Sequence, residues 1–391
     1  MNTLTLNFYE ILGVRSNADE ENLRKAYRKL ARIHHPDVSA DPRAHELMAR
    51  INEAFATLSD PSRRVEYDAM LAGGGLQTSV DASKPRGPEK PIVVKLKKRL
   101  TAHKTPVYAV AFAPDTGQLV SSAFDNEIIW WDESHGAPAR RTKIDIGTIS
   151  TLRPGSGDRL FAAGSGESQI SLYRLEGPKV DGWRTSAEEW VSSVAISPDG
   201  TTVASGSLLH TFTVSNMSDG NSVYRKNEHT EAVTVVTWSE DGKMVATGSA
   251  DATVKLWHAQ TGALLHTIRQ VRGTVTALAF SHDNRYLAVA GVDLSIRVFS
   301  LSDGLLVKMM FGHTKPIESL AFHPNGWLFA SGSRDGTVGL WNAAKGIGNL
   351  RIEASSRPIT CVAFNGEGTR LAACGQDKVV RLWEVAAKES A

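Results

Sequence analysis

From His103 onward the chain repeats itself every 42 residues, and a repeat of that length constrains the fold more than any local propensity does. His103, His229 and His313 share one phase. Asp125, Asp251, Asp293, Asp335 and Asp377 share a second, and Trp131, Tyr173, Trp257, Phe299, Trp341 and Trp383 a third. Seven repeats fit between His103 and the C-terminus. Within a repeat, segments such as VTVVTW, MVATGS and VKLW alternate or run apolar over strand lengths, separated by turns such as SEDGK and ADAT.

A period of about 40 to 45 residues with an aromatic-polar pair closing the third strand resembles the WD-repeat propellers, one four-stranded blade per repeat. The resemblance covers about three hundred residues, and it implies an all-β seven-bladed propeller. Three blades carry the family's polar set: His103, Ser121, Asp125 and Trp131 in blade one; His229, Thr247, Asp251 and Trp257 in blade four; His313, Ser331, Asp335 and Trp341 in blade six. The family links these side chains by hydrogen bonds within a blade, which accounts for buried His and Asp without catalysis. Blades two and three depart most, with Glu167 and Leu209 at the Asp phase and Ser215 at the Trp phase.

Closure of the ring is expected to need a strand from elsewhere. Only seven residues follow Trp383-Glu384 at the chain's end, too few for another strand. IVVKLKKRL at 92–100 has Leu96 and Leu100 in phase with Leu264 and Ile268. This segment is expected to complete blade seven, and Lys95, Lys97 and Arg99 would discourage further edge pairing. The same basic run could instead meet RNA or a ribosome; the edge-strand reading is preferred.

Ahead of the repeats the apolar spacing turns helical. Asn7 can cap a short helix that Gly13 ends; Asp19 can cap a second, with Leu23, Tyr27, Leu30 and His34 on one face. Asp41-Pro42 opens a third, in which Leu47, Met48, Ile51, Phe55 and Leu58 recur at spacings of three and four, and Asp60-Pro61 stops it and starts a short fourth. Two amphipathic helices with a short connection imply an antiparallel hairpin. At that connection Pro36 cannot continue the helix and biases His35 away from helical geometry, so the turn presents an imidazole and the Asp37 carboxylate together. The outer face of the second helix carries Arg24, Lys25, Arg28, Lys29 and Arg32.

This segment resembles the J-domain family through FYEILGV at 8–14, LRKAYRKLARIHHPD at 23–37 and INEAFATLSDPSRRVEYD at 51–68. Met48 and Phe55 stand where the family often has Phe and Tyr, conserving apolar bulk. The resemblance implies a small all-α J-domain that accelerates ATP hydrolysis by a DnaK-type 70-kDa heat-shock chaperone. His35, Pro36 and Asp37 would make the trigger contact, and Arg24, Lys25, Arg28 and Lys29 would meet an acidic chaperone surface. A carboxylate at Asp37 can accept paired hydrogen bonds from a partner arginine, which orients as well as attracts. Clustered cations raise the on-rate while exposed ion pairs add only about 0 to 1 kcal/mol each, so a fast and weak complex is expected.

The expected organisation is therefore a J-domain over 4–71, a flexible linker over 72–91 rich in Gly, Pro and Ser, and a propeller over 92–388. Neither a long Gly/Phe segment nor CxxCxGxG zinc repeats follow the J-domain. With 41% hydrophobic and 22% charged residues the chain lies in the globular range. A net charge of +2 gives no overall drive toward nucleic acid or acidic membranes. No apolar run reaches a membrane span, and the N-terminus lacks a signal-peptide layout, so a cytoplasmic protein is expected. Cys361 and Cys374 flank one turn and are expected to be packing residues facing across a hairpin.

No catalytic motif, metal-spaced His cluster or P-loop occurs, so no enzyme activity, metal or cofactor is expected, and any ATP chemistry belongs to the partner. The leading functional expectation is a co-chaperone whose propeller recruits an unknown client or complex. The alternative is a WD-repeat scaffold whose J-domain serves only as a docking module.

Overall fold

The computed structural model describes residues 8–14, 17–34, 51–52, 54–55, 57–61, 64, 68, 92–113, 116–144, 149–154, 159–166, 169–176, 179–186, 190–302, 304–343 and 346–387. The chain divides into two compact units, 1–83 and 84–391.

In the first unit, helix α1 spans Phe8–Leu12 and α2 spans Glu20–His34. Gly13 ends α1 in the left-handed conformation at φ 67°, and the Val14 amide returns to the Tyr9 carbonyl at 2.9 Å. Asp19 caps α2: its Oδ1 accepts from the Asn22 amide at 2.8 Å, and Glu20 and Glu21 add negative charge to the first turn. Ile51, Asn52, Ala54, Phe55, Thr57 and Leu58 are helical. Tyr9, Leu12, Leu23, Ile51, Ala54 and Leu58 form the buried core, with Tyr27 and Leu30 packed against it. The Tyr9 hydroxyl bonds Asp68 Oδ1 at 2.5 Å and accepts from Arg64 Nε at 3.0 Å, tying residues distant in sequence to α1. The expected Asn7 cap, the His35-Pro36-Asp37 turn, the Asp41-Pro42 helix start, Leu47, Met48 and the 72–91 linker lie outside the described residues.

The second unit is a seven-bladed propeller of four-stranded antiparallel sheets. Strands Val107–Phe112, Ile149–Pro154, Val191–Ile196, Val233–Trp238, Val275–Phe280, Ile317–Phe322 and Ile359–Phe364 are the first of each blade and touch one another around a closed ring. Period-two alternation gives every sheet two apolar faces, and these pack blade against blade. Ala246 and Leu256 of blade four meet Val275 and Leu278 of blade five; Ala330 and Leu340 of blade six meet Ile359 and Val362 of blade seven. The strand Ile92–Leu100 lies antiparallel on Val380–Ala387, with Leu96 opposite Trp383 and Leu100 opposite Val380, and it forms the outer strand of blade seven. Ring closure thus joins the two ends of the unit and gives blade seven a fourth strand whose outer edge carries Lys and Arg residues. Blade two has four strands although its sequence departs from the repeat.

Cys361 and Cys374 face each other across the first two strands of blade seven, as free thiols. Their sulfurs point at the Val110 and Val107 carbonyls of blade one, so they pack the seam where the ring closes.

Candidate functional site

The second helix of the first unit separates two kinds of surface. Leu23 is wholly buried, while Arg24, Lys25, Arg28 and Lys29 are exposed on the opposite side. The 3.6-residue period places them there: positions 24, 25, 28 and 29 recur at spacings of one and four and share a face. Arg24 pairs with Glu20 at 2.5 Å and Lys25 with Glu21 at 2.8 Å, both one turn earlier, and these contacts hold the two cations extended along the helix. Arg28 borders a groove lined also by Tyr27, Phe55 and Ser59, in which the Tyr27 and Phe55 rings stack with centroids 4.4 Å apart. This face supplies clustered positive charge beside an aromatic floor, suited to steering an acidic protein surface onto the helix. His35, Pro36 and Asp37, and the side chain of Arg32, lie outside the described residues.

In the propeller each polar set is a hydrogen-bonded line running from the third strand outward to the loop. In blade four Trp257 Nε1 donates to Thr247 Oγ1 at 2.9 Å, His229 Nε2 lies 2.8 Å from the same hydroxyl, and His229 Nδ1 lies 2.8 Å from Asp251. Blade one repeats it with Trp131, Ser121, His103 and Asp125, at 2.8 Å for both hydroxyl contacts and 3.3 Å for the carboxylate. Blade six repeats it with Trp341, Ser331, His313 and Asp335 at 2.7, 2.6 and 3.0 Å. Only one proton arrangement satisfies every member: the indole donates to the hydroxyl, the hydroxyl donates to Nε2, and Nδ1–H donates to the carboxylate. That ring is neutral, and burial accordingly holds the imidazoles of His103 and His229 below their ordinary value.

The carboxylate end ties the loops. Burial alone would raise the Asp251 carboxyl, but hydrogen bonds from Thr253, His229 and the Thr230 amide outweigh it and hold it at about 2. Asp335 is likewise held below the usual range against the effect of burial, by His313, Thr337 and the Thr314 amide. Every donor of these networks is matched within the blade, which leaves the His and Asp side chains as parts of the frame.

Blades five and seven build the same corner from a cation in place of the neutral imidazole, one that phase-matching on His does not find. Val271 and Ser355 occupy the His phase there. Arg297 Nη2 reaches Asp293 Oδ2 at 2.8 Å, and Arg381 binds Asp377 through Nη1 at 3.2 Å while Ser355 Oγ adds a bond at 2.7 Å. The signal was present: Arg297 and Arg381 are two repeats apart, each four residues after its Asp. In blade three the Asp phase holds Leu209, exposed, and Ser207 closes the loop by accepting from the Leu209 amide at 3.0 Å. Glu167 of blade two lies outside the described residues. Among the described residues no cluster of three or more His, Cys, Asp or Glu could hold a metal ion, and no helix is long and apolar enough to cross a membrane.

The model of the WD domain, G-beta repeat, matches six stretches, 94–132, 182–214, 220–258, 262–300, 304–342 and 349–384, together more than half of the chain. The chain belongs to the WD-repeat family. The unmatched stretch between the first two matches, 133–181, holds the last strand of blade one and most of blade two, whose strands nonetheless complete the ring of this WD-repeat protein. A DnaJ domain model matches residues 7–68. Over 72 residues the chain is 51% identical to Chaperone protein DnaJ 1 of Aquifex aeolicus, covering 18% of this chain and 20% of that one. Over 63 residues the chain is 57% identical to Chaperone protein DnaJ of Carboxydothermus hydrogenoformans, 16% of each chain. Over 62 residues it is 55% identical to the protein of that name from Methanothermobacter thermautotrophicus, again 16% of each. The WD-repeat chain thus spans a fifth or less of the length of these relatives, all of it in the DnaJ domain.

Proposed function

We propose that this protein is a co-chaperone in which the DnaJ domain stimulates the ATPase of a DnaK-type heat-shock chaperone in the cytoplasm, and the propeller recruits the client or complex on which that chaperone acts. The observation that carries the reading is the row Arg24, Lys25, Arg28 and Lys29, exposed on the helix that leads into His35-Pro36-Asp37, while the opposite face is buried. The cations steer and align an acidic partner, and Asp37 is the group able to take two hydrogen bonds from a partner arginine. The protein contributes no ATP chemistry of its own; it acts by binding. The working units are a DnaJ domain over 4–71, a tether over 72–91 and a propeller over 92–388.

The test is single-turnover ATP hydrolysis by a purified DnaK-type chaperone with and without the full chain. Stimulation by the wild type, lost in His35→Gln and Asp37→Asn and reduced in Arg28→Glu, is the expected result. No stimulation, or stimulation untouched by His35→Gln, overturns the reading and leaves a WD-repeat scaffold with a DnaJ-like docking module.

A further inference from the structure

We infer that the loop face over blades six, seven and one is a docking site for an acidic protein segment carrying one aromatic or large aliphatic anchor, an inference that rests on the propeller's role as recruiter. One hydrogen bond recurs around this face. The amide of the residue after the second strand donates to the carbonyl of the residue before the first: Phe124 to Pro106 in blade one, Arg334 to Pro316 in blade six, Gln376 to Pro358 in blade seven, all at 2.9 to 3.0 Å. Leu208 to Trp190, Ala250 to Ala232 and Val292 to Thr274 continue the series. These residues therefore occupy equivalent places, and their side chains can be compared position by position.

The second residue of the first strand has a structural use in three of the blades. Ser192, Thr234 and Thr360 bond main-chain carbonyls of the next blade there; Thr234 reaches Val275 and Thr360 reaches Val107, each at 2.6 Å. Blade one puts Tyr108 in that place, and its ring meets Phe124 with centroids 6.4 Å apart. Blade six fills the same two places with Glu318 and Arg334, paired with each other. An aromatic pair with Phe124 59% exposed has replaced a group that elsewhere fastens the seam. Such a ring is an anchor site of the kind that carries binding energy at protein interfaces.

The exposed charge around it is mainly positive, with Glu353 an exposed carboxylate paired to Arg351. Lys104, Lys315, Arg357 and Lys378 are exposed on the loops of these three blades. Among the described residues the carboxylates on the same loops are already engaged: Asp125 by His103, Asp335 by His313, Asp377 by Arg381 and Glu318 by Arg334. Blade four, by contrast, exposes Glu231. Pro106, Pro316 and Pro358 fix φ at the entry to each first strand, so little loop ordering is needed on binding. One exposed ring among spaced cations fits an acidic peptide with a single anchor. A nucleic-acid strand calls for successive stacking platforms along a continuous basic groove.

The test is fluorescence anisotropy of the full chain with a fluorescein-labelled synthetic peptide of alternating Glu and Ser with one central Trp. No chaperone is present, so failure here leaves the ATPase reading intact, whereas peptide binding without ATPase stimulation defeats that reading alone. Expected are a Kd of about 10 to 100 µM that weakens with salt, a roughly tenfold loss in Phe124→Ser and in Lys315→Glu, and no change in Lys243→Glu on the opposite face. A peptide with Ser in place of Trp should bind about tenfold more weakly. The inference is overturned by no binding up to about 1 mM, by binding that neither substitution weakens, or by an oligo-dT strand of the same length binding as tightly.

Discussion

Arg297 Nη2 and Asp293 Oδ2 lie 2.8 Å apart inside blade five, with 3% and 8% of their side chains exposed, at the corner where blade four carries His229 and Asp251. A neutral His-Asp contact has been exchanged for a buried ion pair, whose partners stabilise the blade only while both are present. Asp293→Ala should lower the free energy of unfolding by about 3 to 5 kcal/mol, because the guanidinium is left without its counter-charge. Asp293→Ala combined with Arg297→Leu should recover most of the loss, since apolar replacement of both partners removes the desolvation cost as well. Urea denaturation followed by tryptophan fluorescence measures both. A double variant no more stable than Asp293→Ala would contradict this account of the corner.

The histidine corners predict a pH dependence of stability. Burial depresses the imidazoles of His103 and His229 in the folded protein, so the unfolded chain takes up protons first. Their contribution is complete above the unfolded value of about 6.5 and is lost as pH falls from there toward the folded values. Asp251 adds a second window: its carboxyl is held at about 2 against an ordinary 3.8, so its contribution is present above about pH 4 and is lost on the way down to about 2. The thermal midpoint should fall between about pH 7 and about pH 5, and His229→Gln should flatten part of that fall. An equal slope in wild type and variant would show that this imidazole is not the titrating group.

The strand Ile92–Leu100 predicts a contrast between two leucines. Leu100 is fully buried among Val107, Trp131 and Val380, whereas Leu96 is 41% exposed although it pairs with Trp383. Leu100→Ala should destabilise the propeller by about 2 to 5 kcal/mol, as for any large-to-small change in a packed core, and Leu96→Ala by under about 1 kcal/mol. Equal effects from the two substitutions in the denaturation midpoint would mean that the strand does not insert as the structure has it.

A propeller behind a helical N-terminal unit could be read from the sequence because each repeat keeps its apolar alternation and its aromatic closing residue in phase, and because Gly13 and Asp19 are strong helix punctuation. What the pattern conceals is exchange of one chemistry for another at the same corner. Arg297 and Arg381 approach their carboxylates from the third strand, whereas the histidines approach from the loop before the first, so a search for recurring His passes over them. Blade three conceals its loop in another way: Ser207 accepts from the Thr211 amide, the bond that Asp251 takes from the Thr253 amide in blade four, and Leu209 is exposed. Tyr108 and Phe124 were equally invisible, since an aromatic in a strand or directly after one reads as core until burial is known. The turn at 35–37, proposed as the trigger contact, lies outside the described residues.

The loop between the second and third strands makes one more demand that the blades meet unequally. The residue after the Asp phase takes positive φ in six blades: Asn126, His210, Ala252, Leu294, Gly336 and Lys378, at 60° to 84°. Only blade six uses glycine, and there a Cβ would sit 2.0 Å from the Ser355 carbonyl oxygen, so the next blade's entry loop occupies the space a side chain needs. Gly336→Ala combines left-handed strain with that clash and should cost about 2 to 4 kcal/mol, while Ala252→Gly relieves strain of about 1 kcal/mol at a position with φ 62°. Thermal unfolding of the two variants should therefore move in opposite directions. A stabilised Gly336→Ala would show that the Ser355 loop yields, and that the seam between blades six and seven is looser than its packing implies.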